Sequence, residues 1–245
     1  MERKDYIFGL RAIIEALEAG QNIDKILLKR DSGTLLTREL LVIANNYNVP
    51  VLRVPVEKLD RITRKNHQGA IAVISPVVYY NLEYILPEIF EKGKNPFCII
   101  LDGITDTRNF GAIARTCDCA GVDFIIIPEK GSVSVTADAV KASAGALFHI
   151  PVCRVKSINN ALKFLHESGV CVVGASEKTD KTYISVDYTV PLGIVMGAED
   201  RGISDDALKK CDYLASIPIL GKIESLNVSV AAGIFIYEVL RQRMG

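Results

Sequence analysis

No stretch of this sequence reaches the roughly 18 consecutive apolar residues that a membrane-spanning helix requires. The longest candidates, Phe97–Leu101, Phe124–Ile127 and Val228–Tyr237, are short or interrupted, so insertion into a membrane is excluded at this level. The opening stretch Ile7–Leu17 carries Arg11 and Glu15, which a secretion signal would not, and the expected location is the cytosol. Net charge is missing as well, because 29 Lys and Arg balance 29 Asp and Glu. Six cysteines contain no C-x-x-C, and five of them sit in apolar or helical patterns, where cysteine behaves as a small hydrophobe. A disulfide framework is not expected. The three histidines, His67, His149 and His166, show no H-E-x-x-H or other metal-ligand spacing, so no metal is expected either. There is no G-x-G-x-x-G, and Gly197–Gly202 lacks the Lys and Ser/Thr that complete a P-loop, which removes support from dinucleotide binding and ATP hydrolysis.

What is present is an ordinary globular composition, 49% hydrophobic and 24% charged over 245 residues, enough for one or two α/β-sized units with a real core. Charge is spread unevenly. Residues 1–75 hold twelve Lys/Arg against nine Asp/Glu, and residues 95–245 hold fifteen against seventeen. Within the basic part, Arg61, Arg64, Lys65, His67 and Gln68 fall in one short stretch, the kind of patch that meets phosphate, although such a patch on its own is more often a solvated face.

Helical spacing at Phe8, Ala12, Ile13, Ala16 and Leu17, a strand at 25–28, a helix at 35–46 and strands at 51–54 and 70–75 make residues 1–75 a small α/β domain. Residues 76–95 contain Pro76, Pro87, Gly93 and a charged tip, and read as an interdomain linker with room for one short helix. From residue 96 onward apolar runs at 97–101, 122–127, 170–174, 192–196 and 213–217 alternate with helical patterns at 109–120, 136–146, 157–168, 204–211 and 226–243. That alternation predicts a mostly parallel sheet with helices on both faces.

Three loops at the carboxyl ends of these strands, where such folds bind ligands, are rich in polar residues. The first leads to Asn109, read as the opening of a helix whose stripe is Phe110, Ile113, Cys117 and Ala120. Arg115 lies about 200° around that helix from Ile113 and points away from the stripe. The second, Met196-Gly-Ala-Glu199-Asp200-Arg201-Gly202, reads either as a polar turn before a helix capped by Ser204 or as a carboxylate poised against a cation. The third runs from Ile217 through Gly221 to Ser225, Leu226 and Asn227, where Ser225 or Asn227 opens the final helix.

Taken in order, Asn109-Phe-Gly-Ala-Ile-Ala-Arg115, Met196-Gly-Ala-Glu199 and Ile217-Pro-Ile with Ser225-Leu-Asn227-Val-Ser-Val resemble the three motifs of the SpoU (TrmH-type) RNA 2′-O-methyltransferases. The resemblance implies a trefoil-knotted SPOUT-type domain over 96–245, S-adenosylmethionine as cofactor and a homodimer. It places Arg115, Asn109, Glu199, Ser225 and Asn227 in catalysis, with Arg115 as an electrostatic clamp or a participant in proton removal. Cofactor contacts fall on Met196, Gly197, Ile217, Gly221 and Leu226. Residues 6–75 resemble the small RNA-binding domain of the branch that methylates guanosine in large-subunit ribosomal RNA, which makes Arg61, Arg64, Lys65 and His67 expected RNA contacts; Arg108, next to the Asn109 motif, is a further expected contact. Methylation of transfer RNA and a catalytically silent ribosome-assembly factor are the alternatives.

Overall fold

The computed structural model describes residues 6–245, so the first five residues of the expected 1–75 domain lie outside the described part. Chain contacts divide it into two compact units, one running to Val78 and counting the short segment Val135–Ala137, the other made of the rest.

The first unit contains β1 (Tyr6–Phe8), α1 (Leu10–Glu18), β2 (Ile23–Lys29), α2 (Leu35–Asn46), β3 (Val51–Val54), α3 (Val56–Ile62) and β4 (Ala70–Ile74). Its sheet has the order β1-β4-β2-β3, with β4 antiparallel to both neighbours and β2 parallel to β3. Leu10, Ile13, Ile14 and Leu17, at helical spacing, bury one face of α1 against Leu40 and Ala44 of α2 and against Ile26, Leu28, Ala70 and Ala72 of the sheet. Leu27 and Ile71 project to the opposite face, where Leu59 of α3 covers them. Phe8, which spacing assigns to the first helix, ends β1 instead. Gly9 at φ +94° turns the chain between strand and helix, a conformation open to glycine.

The second unit adds β5 (Tyr79–Tyr80), α4 (Leu82–Glu91), β6 (Phe97–Asp102), α5 (Thr107–Cys119), β7 (Phe124–Pro128), α6 (Ala137–Ala142), β8 (Val152–Val155), α7 (Ile158–Glu167), β9 (Cys171–Ala175), β10 (Leu192–Gly197), α8 (Asp205–Leu208), β11 (Tyr213–Ala215) and α9 (Val228–Arg243). Seven strands form one sheet in the order β11-β9-β10-β6-β7-β8-β5, and every pairing in it is parallel. Phe97–Asp102 is buried at every residue, as a strand covered on both faces must be. Gly121 and Gly169 end their helices at φ +72° and +79°, in the left-handed region. No helix among the described residues is long and apolar enough to cross a membrane.

The stretch 76–95 departs from its reading as a linker. Tyr79 and Tyr80 pair with β8, and Asn81 caps α4 by accepting from the Glu83 N–H at 2.9 Å. Leu82, Ile85, Leu86 and Ile89 then join the main core beside Leu162 and Leu165 of α7. Pro87 inside α4 costs about 3 kcal/mol in a helix interior, but four buried aliphatic side chains at about 1.5–3 kcal/mol each exceed that. The buried stripe decides the structure.

The strand order sets the site. From β6 the chain moves outward to β7 and β8, then returns on the other side, where β10 pairs with β6. The carboxyl ends of these two adjacent central strands form the switch point at which open α/β sheets bind ligands.

Candidate active site

β6 ends at Asp102 and β10 at Gly197, two residues in register as parallel neighbours. Beyond β6, the Asp106 carboxylate accepts from the backbone N–H of Arg108 at 2.6 Å and of Asn109 at 3.3 Å and so caps α5. The helix therefore opens before Asn109, whose own amide sits in the first turn and is left for another partner. Hydrogen bonds from Arg108 hold the Asp106 carboxyl below the usual carboxylate range.

Beyond β10 the chain folds back at once. A Cβ on Gly197 would run into the backbone of Gly202 and Ile203, so no larger residue fits this return. Ala198 and Gly202 close the loop with two backbone hydrogen bonds, at 3.1 and 2.8 Å, with Gly202 at φ +70°. Glu199 stands at the tip. On the third element Asn227 caps α9, its Oδ1 accepting from the Ser229 N–H at 2.9 Å and the Ser229 hydroxyl at 2.6 Å.

These three loops meet. Glu199 Oε1 accepts from Asn109 Nδ2 at 2.8 Å and from Asn227 Nδ2 at 2.9 Å, and Asn227 Nδ2 also donates to Asn109 Oδ1 at 3.0 Å. The partner of the Glu199 carboxylate is thus a pair of amides and not the Arg201 cation that the loop sequence offers. Arg201 lies over Gly103, where a Cβ would collide with its guanidinium. Ser204 precedes α8 without a side-chain cap, and its backbone N–H donates to Asp102 Oδ2 at 2.8 Å. Arg115 is exposed on α5 and makes no hydrogen bond or ion pair among the described residues. Sequence reading passed over Asp102 and Asp106. Both stand in a run of turn formers, where only the folded contacts separate an anchor from a solvated carboxylate.

Beside the cluster lies a cavity of about 610 Å³, lined in part by Met196, Gly197, Glu199, Ile217, Ser225, Leu226 and Asn227. Val228, Ala231 and Phe235 of α9 add apolar surface. Four carboxylates, Glu177, Glu199, Asp200 and Glu224, face it against one cation, Arg201. Ser225 is exposed there with no side-chain hydrogen bond among the described residues. Gly221 is not part of the lining. It is exposed, between Ile219 and Glu224, which do line the cavity.

In the first unit, Arg61, Arg64 and Lys65 are exposed and form no ion pair among the described residues, with Lys65 Nζ 5.9 Å from the Phe8 ring centre. His67 behaves differently. It is 9% exposed, its Nε2 lies 2.9 Å from Asp60 Oδ1, and its Nδ1 accepts from the Gly69 N–H at 3.0 Å. Both ring nitrogens are committed to the turn that leads into β4, so His67 shapes the basic turn and does not offer itself to a ligand. Arg108, in the other unit, is exposed but held 3.1 Å from Asp106. Burial pushes the thiols of Cys153 and Cys211 up to about 12, which leaves them without thiolate character near neutral pH.

One unit holds a parallel sheet with a polar cluster and a cavity at its switch point, and the other carries a basic turn. Residues 96–237 match the SpoU rRNA Methylase family, and residues 6–80 match the RNA 2′-O ribose methyltransferase substrate binding domain. The chain belongs to the SpoU family of RNA methyltransferases. A Staphylococcus saprophyticus protein named for the TrmH family of tRNA/rRNA methyltransferases is 39% identical to it over 97% of this chain and 95% of its own length. Among solved structures, the AdoMet-bound rRNA methyltransferase from Sinorhizobium meliloti is 27% identical, covers 96% of this chain and 86% of its own, and superposes with a TM-score of 0.62. The TrmH/SpoU tRNA modifying enzyme of A. aeolicus is 29% identical with a TM-score of 0.56, and covers 62% of this chain and 77% of its own.

Proposed function

We propose that the protein transfers the methyl group of S-adenosylmethionine to a ribose 2′-oxygen, that of a guanosine in large-subunit ribosomal RNA, and that it works as a homodimer. The observation that carries this reading is the closed Asn109–Glu199–Asn227 cluster, two of whose members also line the cavity.

The cavity fits the cofactor. Its volume falls in the range of about 300–1,000 Å³ usual for small-molecule sites. Met196, Ile217, Leu226 and Phe235 offer apolar surface to an adenine, and an excess of carboxylates suits a ligand bearing sulfonium and ammonium charge. Gly197 lets the Gly202–Ile203 backbone cross close over it, which shapes this wall of the cavity. Bound there, the cofactor supplies an electrophilic methyl group; everything else falls to the protein. A ribose hydroxyl is a weak nucleophile, so the site must orient its oxygen and stabilise the negative charge that develops as its proton leaves. Arg115, exposed and uncommitted, serves as the clamp on that oxygen and on the neighbouring phosphate. A guanidinium group gives up a proton too reluctantly to serve as a general base. Asn109, Glu199 and Asn227, already fixed by one another, hold the ribose with no reorganisation at the moment of reaction, and Ser225 adds a hydroxyl.

The basic turn of the first unit, Arg61, Arg64 and Lys65, supplies phosphate contacts. Ribosomal RNA is favoured over transfer RNA because the rRNA enzyme matches both units of this chain, while the tRNA-modifying one covers 62% of it. A silent assembly factor would have no use for the closed cluster. Exposed Leu220, Ile223, Val230 and Tyr237 give apolar surface for a second copy.

Incubation with methyl-labelled cofactor and protein-free or precursor ribosomal RNA tests the reading. Label is expected on a guanosine ribose. Label on a base, or on transfer RNA alone, would sink it, and sedimentation as a monomer during turnover would remove the dimer.

A further inference from the structure

Asp102 is 9% exposed, a low value for a carboxylate at the mouth of a ligand site. It closes β6 in register with Gly197, the last residue of β10, and its Oδ2 accepts the Ser204 N–H at 2.8 Å. Gly197 and Ser204 bracket the loop that carries Glu199. One end of this loop is fixed by strand pairing and by the crossing of Gly202–Ile203 over Gly197. The other end is held by the Asp102 carboxylate. A hydrogen bond to an ionised, buried acceptor is a strong tether. If the tether is lost, Ser204 N–H and a buried carboxylate are both left without a partner, and the chain from Gly202 to Ser204 gains freedom.

We propose that Asp102 is a positioning residue for the reaction: by anchoring Ser204 it fixes the loop so that Glu199 Oε1 meets Asn109 and Asn227. Asp102 touches none of the groups assigned to chemistry and acts through Glu199 alone. The inference rests on the methyl-transfer reading for its kinetic consequence, but its geometric content stands apart from that reading.

The test uses the full-length protein labelled with ¹⁵N-asparagine, so that the side-chain amides of Asn109 and Asn227 report on Glu199 without any turnover. Those two amide signals are expected to shift or broaden in Asp102→Ala and to keep their wild-type positions in Asp102→Asn, whose Oδ1 still accepts from Ser204. Ser204→Pro removes the donor from the other side, and Ser204 already has φ −61°, which proline accepts. It should reproduce the Asp102→Ala spectrum even if Asp102→Ala proves too unstable to study. In methyl transfer, Asp102→Ala should lower kcat by about tenfold, the loss of a charge-assisted hydrogen bond, while RNA affinity holds and Asp102→Asn recovers most of the rate. Combined with Glu199→Gln, it should add nothing further. Unchanged Asn109 and Asn227 signals in Asp102→Ala and Ser204→Pro would overturn the proposal, as would an Asp102→Asn variant as impaired as the alanine. Additive losses with Glu199→Gln would overturn it too. A wild-type protein that transfers no methyl group, yet shows the spectral response, would overturn the function and leave the anchor standing.

Discussion

The basic turn of the first unit and the polar cluster of the second use charge in opposite ways. Arg61, Arg64 and Lys65 come from one short stretch, are exposed, and have no ion-pair partner among the described residues. Asn109, Glu199 and Asn227 come from three distant stretches and are bonded to one another. A phosphate backbone is a line of charge that tolerates displacement, so cations on flexible stems suffice to attract it. A reacting oxygen must be held to a fraction of an ångström, and that demands groups oriented before the substrate arrives. The two regions divide attraction from alignment.

The largest expected effects test alignment. Arg115→Ala should keep the fold and cofactor affinity, since an exposed helical arginine is dispensable for packing, yet lose turnover by about 10² or more through the lost stabilisation of charge on oxygen. Single-turnover transfer and calorimetric titration of the cofactor on one preparation would check it. Near-normal turnover would remove Arg115 from the mechanism. Gly197→Ala should be next. Its methyl group meets backbone rather than a side chain that can rotate away, so overpacking of about 1–3 kcal/mol is expected, read as a lower unfolding midpoint together with weakened cofactor binding. A variant that binds the cofactor as wild type does would show that the crossing over Gly197 relaxes freely.

How far this division was legible in the sequence depends on sequence separation. The buried strands at 97–102, 192–197 and 171–175 announce themselves as apolar runs, to within a residue or so at each end. Asn109, Glu199 and Asn227 could be picked out individually by their motifs, but their mutual bonds span 28 to 118 residues and no periodicity reports them. Local chemistry misled where a tertiary contact outweighed it. Pro87 and Gly93 mark a linker until the buried stripe of α4 is seen, and Asn109 resembles a cap until Asp106 is found in that role. His67 shows the same limit from the other side. In a row of cations it reads as one more RNA contact, yet its ring is buried in the turn beneath them.

Attraction is tested by smaller effects. Alanine at Arg61, Arg64 or Lys65 should each weaken RNA binding modestly and reduce the dependence of log affinity on log salt by about 0.7–0.9, one phosphate contact each. Turnover at saturating RNA should be unaffected. His67→Ala should instead lower the unfolding midpoint of the first unit, because Asp60 and the Gly69 N–H lose their shared partner. Binding measured across a salt series would separate the two kinds of residue, and a salt slope that falls only in His67→Ala would reverse their roles.

The smallest effect lies at the far end of α9, the helix that presents Asn227. Glu238 is 7% exposed and accepts from Arg241 at 2.7 and 2.8 Å and from Gln242 Nε2 at 2.8 Å. Gln242 in turn accepts the Tyr188 N–H at 2.9 Å, and Arg243 donates to the carbonyls of Asn95, Pro96, Tyr188 and Val190, so this end of the helix is tied to two loops. The hydrogen bonds from Arg241 hold the Glu238 carboxyl below its ordinary range. A carboxyl depressed in the folded state contributes stability that is complete above its unfolded pKa, about 4.3, and is lost as pH falls through the folded value. Glu238→Gln should therefore be less stable than wild type by about 1–2 kcal/mol at neutral pH, the worth of a charge-assisted hydrogen bond, with the gap closing below about pH 4. Turnover per folded molecule at neutral pH should be unchanged, because Asn227 is fixed locally by Asn109, Glu199 and Ser229. Urea unfolding at neutral and acid pH would measure the gap. A gap of equal size at both would mean that packing and not the Glu238 charge holds this end of the helix, and a fall in turnover would mean that alignment at the site extends along the whole of α9.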